Sequence, residues 1–190
     1  MEKLPLVALI SGRGSNLKAI IDAADPLVEI RAVISNYPQA QGLLYAQQAG
    51  IPTEVLDHKA FKNRLDFDIA LQTCIDHYQP KLVVLAGFMR ILTAEFVAHY
   101  RGRLLNIHPS LLPAFRGLHT HRRVLKSGVQ EHGASVHFVT DDLDAGPGII
   151  QARVPVLPDD DEDSLAARVL LEEHRIYPQA IHWFAQGRLE

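Results

Sequence analysis

The sequence predicts an α/β fold, a doubly wound and mostly parallel sheet with helices on both faces and an antiparallel strand pair in the C-terminal half. Three observations predict it. Short apolar runs rich in branched residues alternate with stretches of helical period through the first hundred residues, glycine-bearing turns join them, and after residue 100 two strand-like runs follow each other across a short loop. Parallel neighbours need a crossover, usually helical, and strands buried on both faces read as continuous apolar runs.

"LVALIS" (6–11) is a buried strand, and "SNLKAIIDAA" (15–24) is a helix with Leu17, Ile20 and Ile21 on one stripe. The unit recurs as "IRAVIS" (30–35) with "AQGLLYAQQAG" (40–50), then "TEVL" (53–56), a helix near 61–78 and "KLVVLAG" (81–87). "GRLLNIHP" (102–109) is a further strand, followed by a helix near 117–127. "GASVHFVT" (133–140) and "GIIQARVPV" (148–156) are joined by "DDLDAGP", short enough for an antiparallel pair. The last helix runs from about Ser164 to Gln186; Asp163 or Ser164 caps it, and the acids of 159–163 complement its dipole.

With 190 residues, 47% hydrophobic and 22% charged, the chain fits one domain with a substantial core. A formal charge of -3 gives no broad basic field for nucleic acid, so an anionic ligand needs a local site. The single cysteine, Cys74, excludes an internal disulfide framework and reads as a buried small hydrophobe. Residues 1–5 carry no signal pattern and no apolar run approaches the roughly 18 residues of a bilayer span, so a soluble cytoplasmic protein is expected.

Three places break the apolar pattern. In "SGRGSN" (11–16), Gly12 and Gly14 remove side chains at a strand-to-helix turn, where outward amides and the helix amino end favour a phosphate. The plainer alternative is a tight turn with Ser15 or Asn16 capping the helix. A dinucleotide fingerprint fits poorly, since Leu17 stands in place of the third glycine and the second strand ends in Ser35 and Asn36 with no acid. In "LLNIHPSLLP" (104–113), strand alternation puts Asn106 and His108 on one face and Ile107 on the other, and Pro109 stops the strand. That places both polar groups at a carboxyl strand end, where open α/β sheets bind ligands; a structural histidine is the alternative. In "TDDLDAGPG" (140–148), one of Asp141, Asp142 and Asp144 could hold His108 in its charged form from within about 4–6 Å, and the pattern does not choose among them.

His119, His121, His132 and His137 raise the question of a metal. His119 and His121 lie near the first turn of a helix, where i and i+2 do not share a face, so no metal site is expected. The basic patch of residues 121–123 reads as a solubility feature.

"LISGRGSNLKAII", "VVLAGFMRIL", "LLNIHPSLLPAFRGLHTHRRVL", "HGASVHFVTDDLDAGPGIIQ" and "EEHRIYPQAI" together resemble the phosphoribosylglycinamide formyltransferase family, the folate-dependent transformylases of purine biosynthesis. The resemblance spans essentially the whole chain. "NIHPSLLP" with a downstream Asp is common to folate formyltransferases of this fold, whereas "GRGSN" and "EEHRIYP" select the glycinamide ribonucleotide branch. It implies a single formyltransferase domain over 1–190, with a phosphate-binding Rossmann-like half (1–100) and a catalytic and folate-binding half (101–190).

The resemblance further implies that Gly12, Arg13, Gly14, Ser15 and Asn16 hold the ribonucleotide phosphate and that Glu173 contacts its sugar. It puts folate beside Met89, Arg90, Ile91 and Leu92, with Arg64 near its tail, Asn106 in reach, and Thr140, Asp141, Asp142, Leu143 and Asp144 over the pterin. Asn106, His108 and Asp144 match the catalytic three, which selects Asp144 among the acids. The implied reaction moves the formyl group of 10-formyltetrahydrofolate to the amine of glycinamide ribonucleotide, with no metal, by a monomer or homodimer, with no nucleic acid and no membrane partner. Ala145, Leu170 and Leu171 depart from close relatives. Within the same chemistry, a methionyl-tRNA formyltransferase would need an RNA-binding extension and a 10-formyltetrahydrofolate hydrolase an added amino-terminal domain. A non-catalytic phosphate-binding module would keep "GRGSN" without needing Asn106, His108 and Asp144 together.

Overall fold

A computed structural model describes residues 2–189. The chain alternates strand and helix as β1 (Leu4–Ile10), α1 (Ser15–Ala23), β2 (Val28–Ser35), α2 (Gly42–Gln48), β3 (Thr53–Val55), α3 (Arg64–His77), β4 (Leu82–Leu85), α4 (Ala94–His99) and β5 (Leu104–His108). It then runs through α5 (Thr120–Ser127), β6 (Glu131–Phe138), β7 (Gly148–Pro155) and α6 (Glu162–Ala185). One seven-stranded sheet has the order β3-β2-β1-β4-β5-β6-β7. Its first five strands pair parallel, while β6 runs antiparallel to both β5 and β7. The antiparallel relation thus extends one strand further than the expected pair.

The apolar strands serve both faces. Along β1, Leu6, Ala8 and Ile10 join a core with α1, α2, α5 and α6, and Val7 and Leu9 join a second core under α3 and α4. On β5, Leu105 and Ile107 enter the first core and Leu104 the second, so Asn106 and His108 continue the second face beyond the reach of its helices. There, over β6 and β7, loops take the place of helices. The sequence pattern did not reveal this, because β6 shows its apolar residues, Ala134 and Val136, only to the first core.

Two helices differ from expectation. The short α4 is fixed by the Thr93 cap, whose hydroxyl accepts from Phe96 N–H at 3.3 Å; it is too brief to show a helical period. The last helix begins inside the acidic run: Asp161 accepts from Ser164 N–H at 2.8 Å and Ser164 Oγ accepts from Asp161 N–H at 3.1 Å, a reciprocal capping box. The cap is therefore Asp161, two residues before the expected Asp163. Tyr177 of α6 sends its hydroxyl to the Leu85 carbonyl at 2.8 Å and the Leu105 carbonyl at 3.1 Å, pinning the helix across β4 and β5.

Candidate active site

The turn after β1 is shaped by glycine at one demanding position. Gly14 has φ of 74°, and a Cβ there would lie 2.5 Å from the Gly42 Cα; a side chain is excluded by both conformation and space. Gly14 is the N-cap of α1 and no side chain caps that end. The first bond of the helix is Lys18 N–H to the Gly14 carbonyl at 2.8 Å, so the amides of Ser15, Asn16 and Leu17 precede the ladder and are available to an anion. The alternative of a Ser15 or Asn16 cap is not realised. Gly12 and Arg13 are exposed at the same turn.

Asn16 points elsewhere: its buried side chain donates from Nδ2 to Glu173 Oε1 at 3.0 Å, joining α1 to α6. Asn16 Oδ1 is buried without a hydrogen-bond partner. Burial pushes the Glu173 carboxyl up to about 7, with the Asn16 bond pulling the other way. At neutral pH this buried acid therefore stands between donor and acceptor forms.

Ser11 connects this turn to the loop after β4. Its hydroxyl donates to Asn36 Oδ1 at 2.5 Å and accepts from Met89 N–H at 2.7 Å. The loop is also stapled to α3, where Asp68 accepts from Thr93 N–H at 2.7 Å and the Arg90 guanidinium lies 5.2 Å from the Phe67 ring centre. Met89 and Ile91 are 67% and 59% exposed, and Arg90 Nε is buried without a partner. An apolar ridge with an uncommitted guanidinium nitrogen suits a flat heterocycle bearing anionic groups. Arg64 is exposed at the first position of α3, one turn before Phe67.

The polar face of β5 and β6 is the centre of the arrangement. Register pairs Asn106 with His137 and His108 with Ser135, and directly opposed residues share a face. Four polar side chains thus form a square on the second face of the sheet. His108 Nε2–H donates to the Phe115 carbonyl at 2.9 Å, and its Nδ1 lies 3.5 Å from Asp144 Oδ2 with both side chains buried. Gly117 N–H donates to the same carboxylate oxygen at 2.9 Å. Asp144 is the acid that reaches His108, whereas Asp142 accepts from the Arg116 guanidinium at 2.9 Å and Asp141 is exposed.

Neighbouring loops hold this geometry. Arg116 also donates to the Leu143 carbonyl, and Arg123 donates to the carbonyls of Arg116 and Leu118 at 2.5 and 2.9 Å. Arg123 of the basic patch is therefore a loop brace. Gly146 is required where the 140–148 loop turns back, since a Cβ there would lie 1.7 Å from the Phe138 carbonyl oxygen. Thr140 and Leu143 are exposed. An open cleft of about 510 Å³ adjoins the square, lined by Leu112, Ser135, His137, Asp144, Gly148 and Gln151 among others.

Among the four histidines of the 119–137 region, His121 and His132 meet each other, Nδ1 to Nε2 at 3.0 Å. Burial pushes His132 down to about 4. Among the described residues no three His, Cys, Asp or Glu side chains gather as a metal site. Ser135, His137 and the Phe115 carbonyl were not anticipated from sequence. The signal was the alternation "S-V-H" in β6, which mirrors "N-I-H" in β5 once the two strands are paired.

Residues 4–181 match the formyl transferase family. The phosphoribosylglycinamide formyltransferase of Escherichia coli is 58% identical over 97% of this chain and 89% of its own length. The human trifunctional purine biosynthetic protein adenosine-3 is 45% identical over 100% of this chain, which spans 19% of that larger protein. Among solved structures, the phosphoribosylglycinamide formyltransferase of Coxiella burnetii superposes with a TM-score of 0.94 at 58% identity, covering 98% of this chain and 89% of its own. Glycinamide ribonucleotide transformylase 1 of Symbiobacterium toebii gives 0.95 at 45% identity, with 98% and 89% covered.

Proposed function

The chain belongs to the formyl transferase family, and from that premise we propose that it transfers a formyl group from 10-formyltetrahydrofolate to the amine of glycinamide ribonucleotide, a step of purine biosynthesis. The observation that carries the substrate assignment is the uncapped amino end of α1 beside the buried Asn16–Glu173 pair. The amides of residues 15–17, with Gly12, Arg13 and Gly14 around them, receive the phosphate. Glu173 and the unpartnered Asn16 Oδ1 receive sugar hydroxyls.

Folate supplies the activated formyl carbon, and Arg64, Met89, Arg90, Ile91 and Leu92 with the loop from Thr140 to Asp144 would hold it. As the neutral amine attacks, the formyl oxygen gains negative charge. Asn106 and protonated His108 stabilise that charge, each donor contributing about 10²- to 10³-fold in rate. Both ring nitrogens of His108 face acceptors, the Phe115 carbonyl and Asp144, an arrangement that suits a ring bearing both protons. The formyl oxygen competes with the Phe115 carbonyl for the Nε2 proton, while Asp144 keeps the other side of the ring fixed.

In this reading residues 1–190 work as one unit, although its two halves share both substrates: Glu173 from the second completes the phosphate side, and Met89–Leu92 from the first complete the folate side. The proposal extends to a cytoplasmic enzyme, monomeric or homodimeric. No helix among the described residues is long and apolar enough to cross a membrane. The test is purified protein with 10-formyltetrahydrofolate, with and without glycinamide ribonucleotide, following folate release. Release that requires the amine is expected. Equal release without it would mean a hydrolase, and none in either case a binding module.

A further inference from the structure

The groups assigned so far are given to the developing oxyanion and its support, with Asp144 held by His108 and the Gly117 amide, and none has been given the proton that must leave the attacking amine. His137 has the placement and the chemistry for it. It lies directly across from Asn106 in the β5–β6 register, on the face that carries His108, and is 3% exposed. Its Nδ1 sits 3.0 Å from the Phe138 carbonyl; a carbonyl only accepts, so Nδ1 carries the ring proton and Nε2 carries a lone pair. That Nε2 is buried with no hydrogen-bond partner. His137 also lines the cleft that contains Asp144. Buried polar atoms are nearly always paired, so an orphaned acceptor beside a reaction centre calls for a donor brought by the reaction.

Deepening the formyltransferase reading and resting on it, we propose that His137 Nε2 is the proton acceptor of the transfer, reached from the amine through one water that enters with the substrates. The bond between the amine nitrogen and the formyl carbon forms, and a proton passes from that nitrogen to Nε2. The bond from the formyl carbon to the folate N10 then breaks, and the same proton is returned to N10. His137 begins and ends neutral, and no other reactant is needed. Burial holds the ring below the ordinary histidine value, which keeps Nε2 free to accept at neutral pH. The titratable groups facing it are His108 of β5, which opposes its protonation, and Asp144 of the loop after β6, which favours it.

The test compares the native protein with His137→Gln, which keeps an acceptor atom but cannot take up a proton. The expected result is a kcat about 10²-fold lower, within the range of general-base losses, with KM for both substrates within about threefold of native. The fall in native activity on acidification through the titration of His137 should also vanish in the variant. A native protein inactive with both substrates overturns the formyltransferase reading; an active native protein with a variant within about threefold in kcat overturns this inference alone. If the variant fails to fold, nitrogen NMR of the native imidazole decides. Protonated Nδ1 and bare Nε2, with Nε2 responding to glycinamide ribonucleotide, is the expected pattern, and a ring protonated at Nε2 overturns the inference.

Discussion

Around Gly14 the groups offered to a ligand belong to the backbone: three helix amides that precede the hydrogen-bond ladder, at a turn where Gly14 lets α2 pack close. Across β5 and β6 they are side chains, Asn106, His108, Ser135 and His137, set by strand register and braced by loops. A backbone site presents a fixed charge pattern that no ordinary substitution removes, which suits holding a phosphate unchanged through a reaction. A side-chain site offers groups that take up and release protons, which suits the reacting carbon. The difference teaches where mutations will register: in kcat on the second face of the sheet, and in binding or stability around the turn.

The largest expected effect tests the side-chain site. His108→Ala and Asn106→Ala should each lower kcat about 10²- to 10³-fold, and the double variant should lose less than the product of the two, because in the proposed mechanism both donors act on one oxygen. Steady-state kinetics of the four proteins checks this. Simple additivity would assign the two side chains to separate steps.

Next is the backbone site, which can be broken only through its glycines. Gly14→Ala combines a left-handed φ of 74° with a Cβ 2.5 Å from the Gly42 Cα. Strain and overpacking together should cost roughly 2–4 kcal/mol of stability, read by chemical denaturation, and should raise KM for the ribonucleotide far more than they lower kcat. A Cβ on Gly12 meets nothing within 4 Å, so Gly12→Ala should fold with near-native stability. Equal losses at both positions would show that the turn tolerates no side chain for a reason other than space.

The backbone site was legible in the sequence because it is local: glycines, a strand end and a helix start are consecutive, and their consequence is fixed by dihedral geometry. Asn106 and His108 were legible by the same local rule of alternation. Their partners were not. Asp144 approaches from 36 residues downstream through a loop whose course depends on Gly146 clearing the Phe138 carbonyl, and resemblance rather than pattern selected it. His137 and Ser135 become visible only when β6 is known to run antiparallel beside β5. A pattern within one strand says which residues share a face, but not which strand lies next to it.

Glu173 crosses the comparison, since in the proposed reading its side chain completes the backbone site through its bond with Asn16. Its carboxyl is raised from the ordinary 4.5 to about 7 by burial, so the folded protein holds a proton that the unfolded chain releases between those values. The associated stability is fully present below pH 4.5 and is lost as pH rises through about 7. The span corresponds to roughly 3 kcal/mol. Glu173→Gln should flatten the thermal stability profile across that window while keeping ribonucleotide binding better than Glu173→Ala. An unchanged slope would mean the acid is ionised throughout.

The smallest expected effect separates the brace from the dyad it supports. Arg116 ties the Phe115–Gly117 segment to Asp142 and the Leu143 carbonyl, but its ion pair is solvent-facing, with side chains 41% and 76% exposed. Such pairs contribute about 0–1 kcal/mol, so Arg116→Ala should scarcely move the unfolding midpoint. Its catalytic cost should be larger than its stability cost, because the same three residues supply the Phe115 carbonyl to His108 and the Gly117 amide to Asp144. A loss of about three- to tenfold in kcat is expected, in line with a positioning error rather than a missing donor. Arg116→Lys should recover little of it, since a lysine keeps the charge but cannot reproduce the guanidinium fork to a carboxylate and a carbonyl at once. Full recovery by lysine would make the brace electrostatic, and an unchanged kcat in Arg116→Ala would show that the Gly117–Asp144 bond and the Arg123 brace hold this segment without it.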